Sequence, residues 1–169
     1  MPIVAKWLYS LGYYPVLEAM LCNYCDIIGC KWAEQIGRRV PTLLEATAVE
    51  LKITDIAGVI AQAKSNSYHV TTSYAAMPRI VCSKMRRTTL KKFSGAGIGL
   101  LAVDTEQNHL TVVVPSTHNP KSIEDLIARR LWANRVRNRQ KMQSLLNGTG
   151  GDLAPGGNLS HREEQRSEA

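Results

Sequence analysis

The residues Ala48-Val49-Glu50-Leu51-Lys52-Ile53-Thr54-Asp55 alternate polar and apolar side chains and then run into a helix start. In an extended strand successive side chains take opposite faces, so Glu50 and Lys52 project together while Val49, Leu51 and Ile53 occupy the other side. Thr54 or Asp55 then offers a side-chain oxygen to the free amides of a first helical turn. Ile56, Val59, Ile60 and Ala63 follow at helical spacing. A strand over 46–53 and a helix directly after it predict a mixed α/β domain.

The elements on either side fit the same class. Ile3, Val4, Trp7, Leu8 and Leu11 predict an amphipathic helix over 1–11, stopped at Gly12. Residues 13–21 and 24–32 read as a strand pair turning at Asn23, and 34–41 as a loop around Gly37, Arg38 and Arg39. Downstream come a strand over 69–75, a basic helical stretch over 78–92 and a turn at Ser94-Gly95-Ala96-Gly97. Two short strands over 98–103 and 110–114 follow, with a turn around 106–108. Ser122 and Asp125, at capping-box-like spacing, open a long C-terminal helix over 122–146. Residues 147–169 are rich in Gly, Pro, Ser and charge and have almost nothing to bury, so they read as a disordered tail behind a domain spanning 1–146.

Bulk composition narrows the function classes. A chain of 169 residues suits one domain, and 44% hydrophobic residues supply a core that a disordered chain lacks. No apolar run approaches the ~18–20 residues of a membrane-spanning helix. The N-terminal segment lacks a charged n-region and a small-residue cleavage site, so a cytoplasmic location with reduced thiols is expected. Cys22-x-x-Cys25 is half of a zinc spacing that His69 or Cys82 could nominally complete, but no second ligand pair follows. The cysteines therefore read as small buried hydrophobes. Gly95, Gly97 and Gly99 lack the preceding strand of a dinucleotide fingerprint, and no small-molecule cofactor is expected.

The net charge of +7 is unevenly placed. Residues 79–92 carry Arg79, Lys84, Arg86, Arg87, Lys91 and Lys92 and no acid, a net +6. Residues 121–146, with Arg129, Arg130 and Arg135 among seven basic side chains, hold a net +5, while the tail holds −2. Two basic segments outside an acidic remainder suit contacts to phosphates of DNA, although charged helices also serve as solvated faces or dock partner subunits.

Asp26 lies inside the apolar run Tyr24-Cys25-Asp26-Ile27-Ile28, where a carboxylate is costly without a partner. If the strands pair, it faces Glu50. Two carboxylates from neighbouring strands make an oxygen-ligand site for Mg²⁺, with Mn²⁺ as a substitute. Lys52 beside them can orient a water and neutralise charge on a phosphate.

With Asp26 in Cys25-Asp26-Ile27-Ile28-Gly29, Glu50-Leu51-Lys52, and a following helix carrying Gln62-Ala63 and then Tyr68, the sequence resembles the PD-(D/E)XK nuclease superfamily. The resemblance covers about residues 3–76 and extends more loosely to 114. It implies a restriction-endonuclease-like core: a central mixed β-sheet flanked by helices, in the order helix, three strands, helix, strand. It further implies that Asp26 and Glu50 bind metal, that the Leu51 carbonyl completes the metal sphere, that Lys52 is the catalytic lysine and that Gln62 assists. The acid that the family often carries on the first helix is missing, and Glu18 is the nearest substitute. Cys25 stands where the named pattern has proline.

The expectation is thus a Mg²⁺-dependent deoxyribonuclease. A homodimer built on the long helix would suit a symmetric duplex. Two alternatives stay open: a non-catalytic nucleic-acid-binding module on the same fold, and a protein-interaction factor whose basic helix docks an acidic partner.

Overall fold

The computed structural model describes residues 2–21, 24–33, 40–120 and 123–147. Helix α1 (Pro2–Ser10) precedes strands β1 (Tyr14–Met20), β2 (Tyr24–Ala33) and β3 (Thr42–Leu51). Helix α2 (Ile56–Asn66) leads to β4 (Thr72–Pro78), followed by helices α3 (Arg79–Cys82) and α4 (Arg87–Gly95) and strands β5 (Gly99–Asp104) and β6 (His109–Val114). Helices α5 (Asp125–Arg137) and α6 (Arg139–Asn147) close the described chain. The fold is α/β, with one six-stranded mixed sheet in the order β1-β2-β3-β4-β5-β6.

β1, β2 and β3 form an antiparallel meander. β3, β4 and β5 run parallel, and β6 returns antiparallel to β5. The parallel steps need crossovers, which α2 supplies between β3 and β4, and α3 with α4 between β4 and β5. Asp55 starts α2 by accepting from the Gly58 amide at 2.8 Å, and glycine at 58 leaves room for that carboxylate, which a Cβ there would push aside.

Both faces of the sheet are covered. On one, Ile28, Cys30, Ala46 and Ala48 pack under Ile127, Ala128 and Leu131 of α5. Further along that face Ala75, Met77, Leu100 and Ala102 meet Val59 and Ala63 of α2, Cys82 of α3 and Phe93 of α4. The opposite face buries Leu17, Ile27, Val49, Ala76 and Leu101 under Val4, Ala5 and Leu8 of α1 and Met142 of α6. Each fully buried aliphatic or aromatic side chain contributes about 1.5–3 kcal/mol of transfer free energy, and the small residues Ala46, Ala48, Ala75 and Ala76 are buried among them.

Several boundaries differ from the sequence reading. β3 starts at Thr42, because Thr42 and Leu43 pair with Ala33 and Trp32 after a register shift at Lys31/Trp32, and it stops at Leu51. β4 begins at Thr72, three residues later than expected. The basic stretch 78–92 is not one helix: Arg86 takes an extended backbone (φ −71°, ψ 154°) and separates α3 from α4. The long helix over 122–146 is likewise broken, at Asn138, into α5 and α6. The break has a packing reason. The apolar residues of α5 cover one face of the sheet and Met142 of α6 covers the other, so the chain must turn around the β1 edge. The loop residues 34–39, Ser122 and the tail from 148 onward lie outside the described residues.

Candidate metal centre

The centre forms where β2 and β3 part. Their ladder runs through Ile28↔Ala48 and Ile27↔Val49 and stops there, which leaves Asp26 opposite Glu50 in continued register. Instead of a backbone carbonyl, Asp26 Oδ2 accepts the Leu51 amide at 2.8 Å. The carboxylate thus caps the ladder at its last rung and is held, half-buried, between the strands.

Glu50 is only 2% exposed. Its Oε1 accepts from Asn66 Nδ2 at 2.6 Å, which ties the β3 carboxylate to the last turn of α2. Burial raises the Glu50 pKa, and the neighbouring Asp26 charge raises it further, against the lowering effect of the Asn66 bond. The adjacent Cys25 thiol is buried, and burial with the Glu50 charge beside it pushes its pKa up. It donates weakly to the carbonyls of Ile27 and Val49 and behaves as the small hydrophobe expected of it. Cys30 and Cys82 are buried free thiols as well, and Cys22 lies outside the described residues.

Lys52 follows β3 by one residue and its amide donates to the Ala76 carbonyl at 3.1 Å. It lies at the carboxyl end of the parallel strands, half-exposed, and lines a cavity of about 220 Å³ with Leu51, Ile53, Met77, Pro78 and Val103. Among the described residues its ammonium is in no ion pair, and neither are Asp26 and Glu50.

The structure therefore brings Asp26 onto the Leu51 amide opposite Glu50, and places Lys52 one residue past the end of β3, in the wall of the neighbouring cavity. It does not gather Gln62, whose side chain is exposed on α2, away from the buried stripe Val59, Ala63 and Asn66. The residue that reaches Glu50 is Asn66, one turn later. Its signal was present in the sequence: a carboxamide in an apolar helical stripe at spacing i, i+4, i+7 needs a buried partner. Glu18 is exposed and does not join Asp26 and Glu50, and no group of three or more His, Cys, Asp or Glu side chains gathers among the described residues.

A buried and a half-buried carboxylate side by side, with no ion pair among the described residues, fit a hard divalent ion. Mg²⁺ is commonly bound through one or two carboxylates and keeps several waters, so the small donor set is compatible with it. Asp26 and Glu50 would hold the ion, with backbone and water oxygens completing its sphere.

The basic residues divide into two groups. Lys84, Arg86, Arg87, Lys91 and Lys92 are exposed on and before α4, and Arg129 and Arg130 are exposed on α5, all without ion pairs among the described residues. Arg79 is neutralised locally: its guanidinium donates to Asp104 at 2.9 Å and to Gln107 at 3.4 Å, bracing the β5–β6 turn. Arg135 lies over the rings of Tyr14 and Trp132, at 4.4 and 4.7 Å. Trp132 in turn meets Trp32 edge-on at 5.4 Å, so both residues belong to the packing of α5 on the sheet.

Among the described residues no helix is long and apolar enough to cross a membrane. No family model and no curated protein matches the chain. Its fold is similar to that of a protein of unknown function from Silicibacter pomeroyi, with a TM-score of 0.54 at 15% sequence identity over 90% of this chain and 92% of that one.

Proposed function

We propose that this chain is a metal-dependent phosphodiester hydrolase acting on DNA. The observation that carries the reading is the pairing of Asp26 and Glu50 across the point where β2 leaves β3, with Lys52 two residues beyond Glu50 and free of any ion pair among the described residues. The order α1, three antiparallel strands, α2 and a parallel β4 supports the PD-(D/E)XK resemblance that the motif suggested.

A divalent cation, when bound, supplies the Lewis acidity that lowers the pKa of water and stabilises charge on a phosphate. The chain's own residues do the rest. Asn66 fixes one oxygen of Glu50 and so orients the carboxylate. The Leu51 amide fixes Asp26 in the same way. Lys52 holds a proton-bearing ammonium at the strand end, where it orients the attacking water and donates to a non-bridging phosphate oxygen. Lys84, Arg86, Arg87, Lys91 and Lys92 contact flanking phosphates.

Incubating supercoiled plasmid with the full chain and Mg²⁺ or Mn²⁺ tests this. Nicking is expected, reduced by about 10²–10³-fold in Lys52→Ala and abolished in Asp26→Ala. Cleavage that survives both substitutions overturns the assignment. Salt-sensitive binding without cleavage would instead identify a nucleic-acid-binding module.

A further inference from the structure

We infer that the cavity beside Lys52 is a pocket for one unpaired nucleobase, so that the substrate presents single-stranded or splayed DNA at the centre. This deepens the hydrolase reading and rests on it. The cavity lies at the carboxyl ends of β3, β4 and β5, where Leu51, Ile53, Ala76, Met77, Pro78 and Val103 wall it with apolar surface and Thr105 sits at the rim. At about 220 Å³ it is below the roughly 300–1,000 Å³ of sites that enclose a whole small molecule. It has room for a single flat ring system and none for a base pair. Enzymes that act on extruded bases hold them between apolar or aromatic side chains in pockets of this kind.

Charge complementarity selects the occupant. Lys52 is both a wall of the pocket and the cation nearest the carboxylate pair in sequence. The β3–α2 and β4–α3 junctions that build this cavity also build a second one, of about 370 Å³, lined by Ile56, Ile80, Lys84, Met85, Arg86 and Thr89. Lys84 and Arg86 are exposed and in no ion pair among the described residues. A single strand crossing these junctions places a base against Ile53 and Val103 while its phosphates pass Lys84 and Arg86. Ile53 is 75% exposed and Ile80 63%, so each presents apolar surface to a ligand at its cavity. A rigid duplex cannot fill the pocket without losing a base pair.

The test uses fluorescein-labelled oligothymidylate and a blunt duplex, with Ca²⁺ replacing Mg²⁺ so that binding is read without cleavage. The single strand is expected to bind about ten-fold more tightly than the duplex at equal salt. Ile53→Ser, and separately Thr105→Trp, which plugs the exposed rim, should each remove most of that preference while the duplex affinity and its salt slope stay unchanged. Equal affinity for the two probes overturns the inference, and so does a preference that neither substitution alters. The hydrolase reading fails separately: a strand preference with no cleavage of any substrate sinks the nuclease and leaves the pocket, whereas cleavage without preference does the reverse. Binding of neither probe refutes both.

Discussion

Asp26 Oδ2 accepts the Leu51 amide at 2.8 Å, so one carboxylate both ends the β2–β3 ladder and forms half of the candidate metal centre. The two duties separate by substitution. Asp26→Asn keeps an oxygen acceptor for Leu51 and removes the charge, whereas Asp26→Ala leaves a partly buried amide without a partner, at about 1–3 kcal/mol. Urea unfolding without metal should therefore find the asparagine variant near wild type and the alanine variant clearly weaker. Calorimetric titration with Mg²⁺ should find both unable to bind. An asparagine variant as unstable as the alanine variant would refute the capping role.

Glu50 makes the complementary prediction. Burial and the Asp26 charge raise its folded pKa, so the folded chain holds this proton more tightly than the unfolded chain does. The associated stability is fully present below the ordinary glutamate value and is lost as pH rises through the raised folded value. Metal-free protein should accordingly lose stability across that window, and Glu50→Gln, which keeps an acceptor for Asn66, should not. At neutral pH the variant should be more stable by on the order of 1 kcal/mol, about 2–4 °C in Tm for a chain of this size. Mg²⁺ should stabilise wild type and leave the variant unmoved. Asn66→Ala should weaken Mg²⁺ binding by about 10–100-fold, as loss of an orienting partner does.

A second acid carries the opposite sign. Tyr13 donates to Glu45 at 2.6 Å, and Lys31 pairs with the same oxygen at 3.2 Å while lying over the Tyr13 ring. The Tyr13 hydrogen bond, and then the lysine, hold the Glu45 carboxyl below its ordinary range. Its contribution is present above the unfolded glutamate value and is lost as pH falls through the lowered folded one. Because Lys31 and Glu45 remain about one-third exposed, the effect is small and screened by salt. Tyr13→Phe should flatten the acid limb of the stability curve at low ionic strength and leave the fall that Glu50 sets on its other side unchanged. An unaltered acid limb would show that the hydrogen bond does not shift Glu45.

How far the sequence carried the reading depends on the range of the interaction. Asp55 as a cap, the alternation through Glu50 and the pairing of β1 with β2 are local, and each element appears where it was expected to within a few residues. The early start of β3 was hidden because Thr42 and Leu43 are selected by pairing with β2 across a register shift, not by their own pattern. The break at Asn138 was hidden for a similar reason, since apolar spacing does not say that α5 and α6 cover opposite faces. Gln62 was placed by resemblance alone. The competing residue Asn66 was legible only by asking which helix face was buried. Arg135 counted as free charge until the structure set it between Tyr14 and Trp132.

The least legible feature is the backbone at Glu18, and it yields the sharpest test. Glu18 sits inside β1 with φ +48°, a left-handed conformation that costs a non-glycine residue about 1–2 kcal/mol. It lies opposite Asp26, between the pairs Leu17↔Ile27 and Ala19↔Cys25. Both strands change face there: Val16 and Ala19 share one core cluster, as do Cys25 and Ile28, where strict alternation would separate them. The paired kink coincides with the point where β2 leaves β3 and the Asp26 carboxylate meets the Leu51 amide. In an ordinary strand valine is favoured over glycine by up to about 1 kcal/mol. At position 18 the order should invert. Glu18→Gly should stay near wild type, because relief of strain offsets its backbone entropy, while Glu18→Val, whose β-branch tolerates positive φ least, should fall below wild type in stability and in Mg²⁺ affinity. Denaturant unfolding of the two variants decides the matter, and a valine variant more stable than the glycine variant would mean that β1 runs straight and that the kink does not place Asp26.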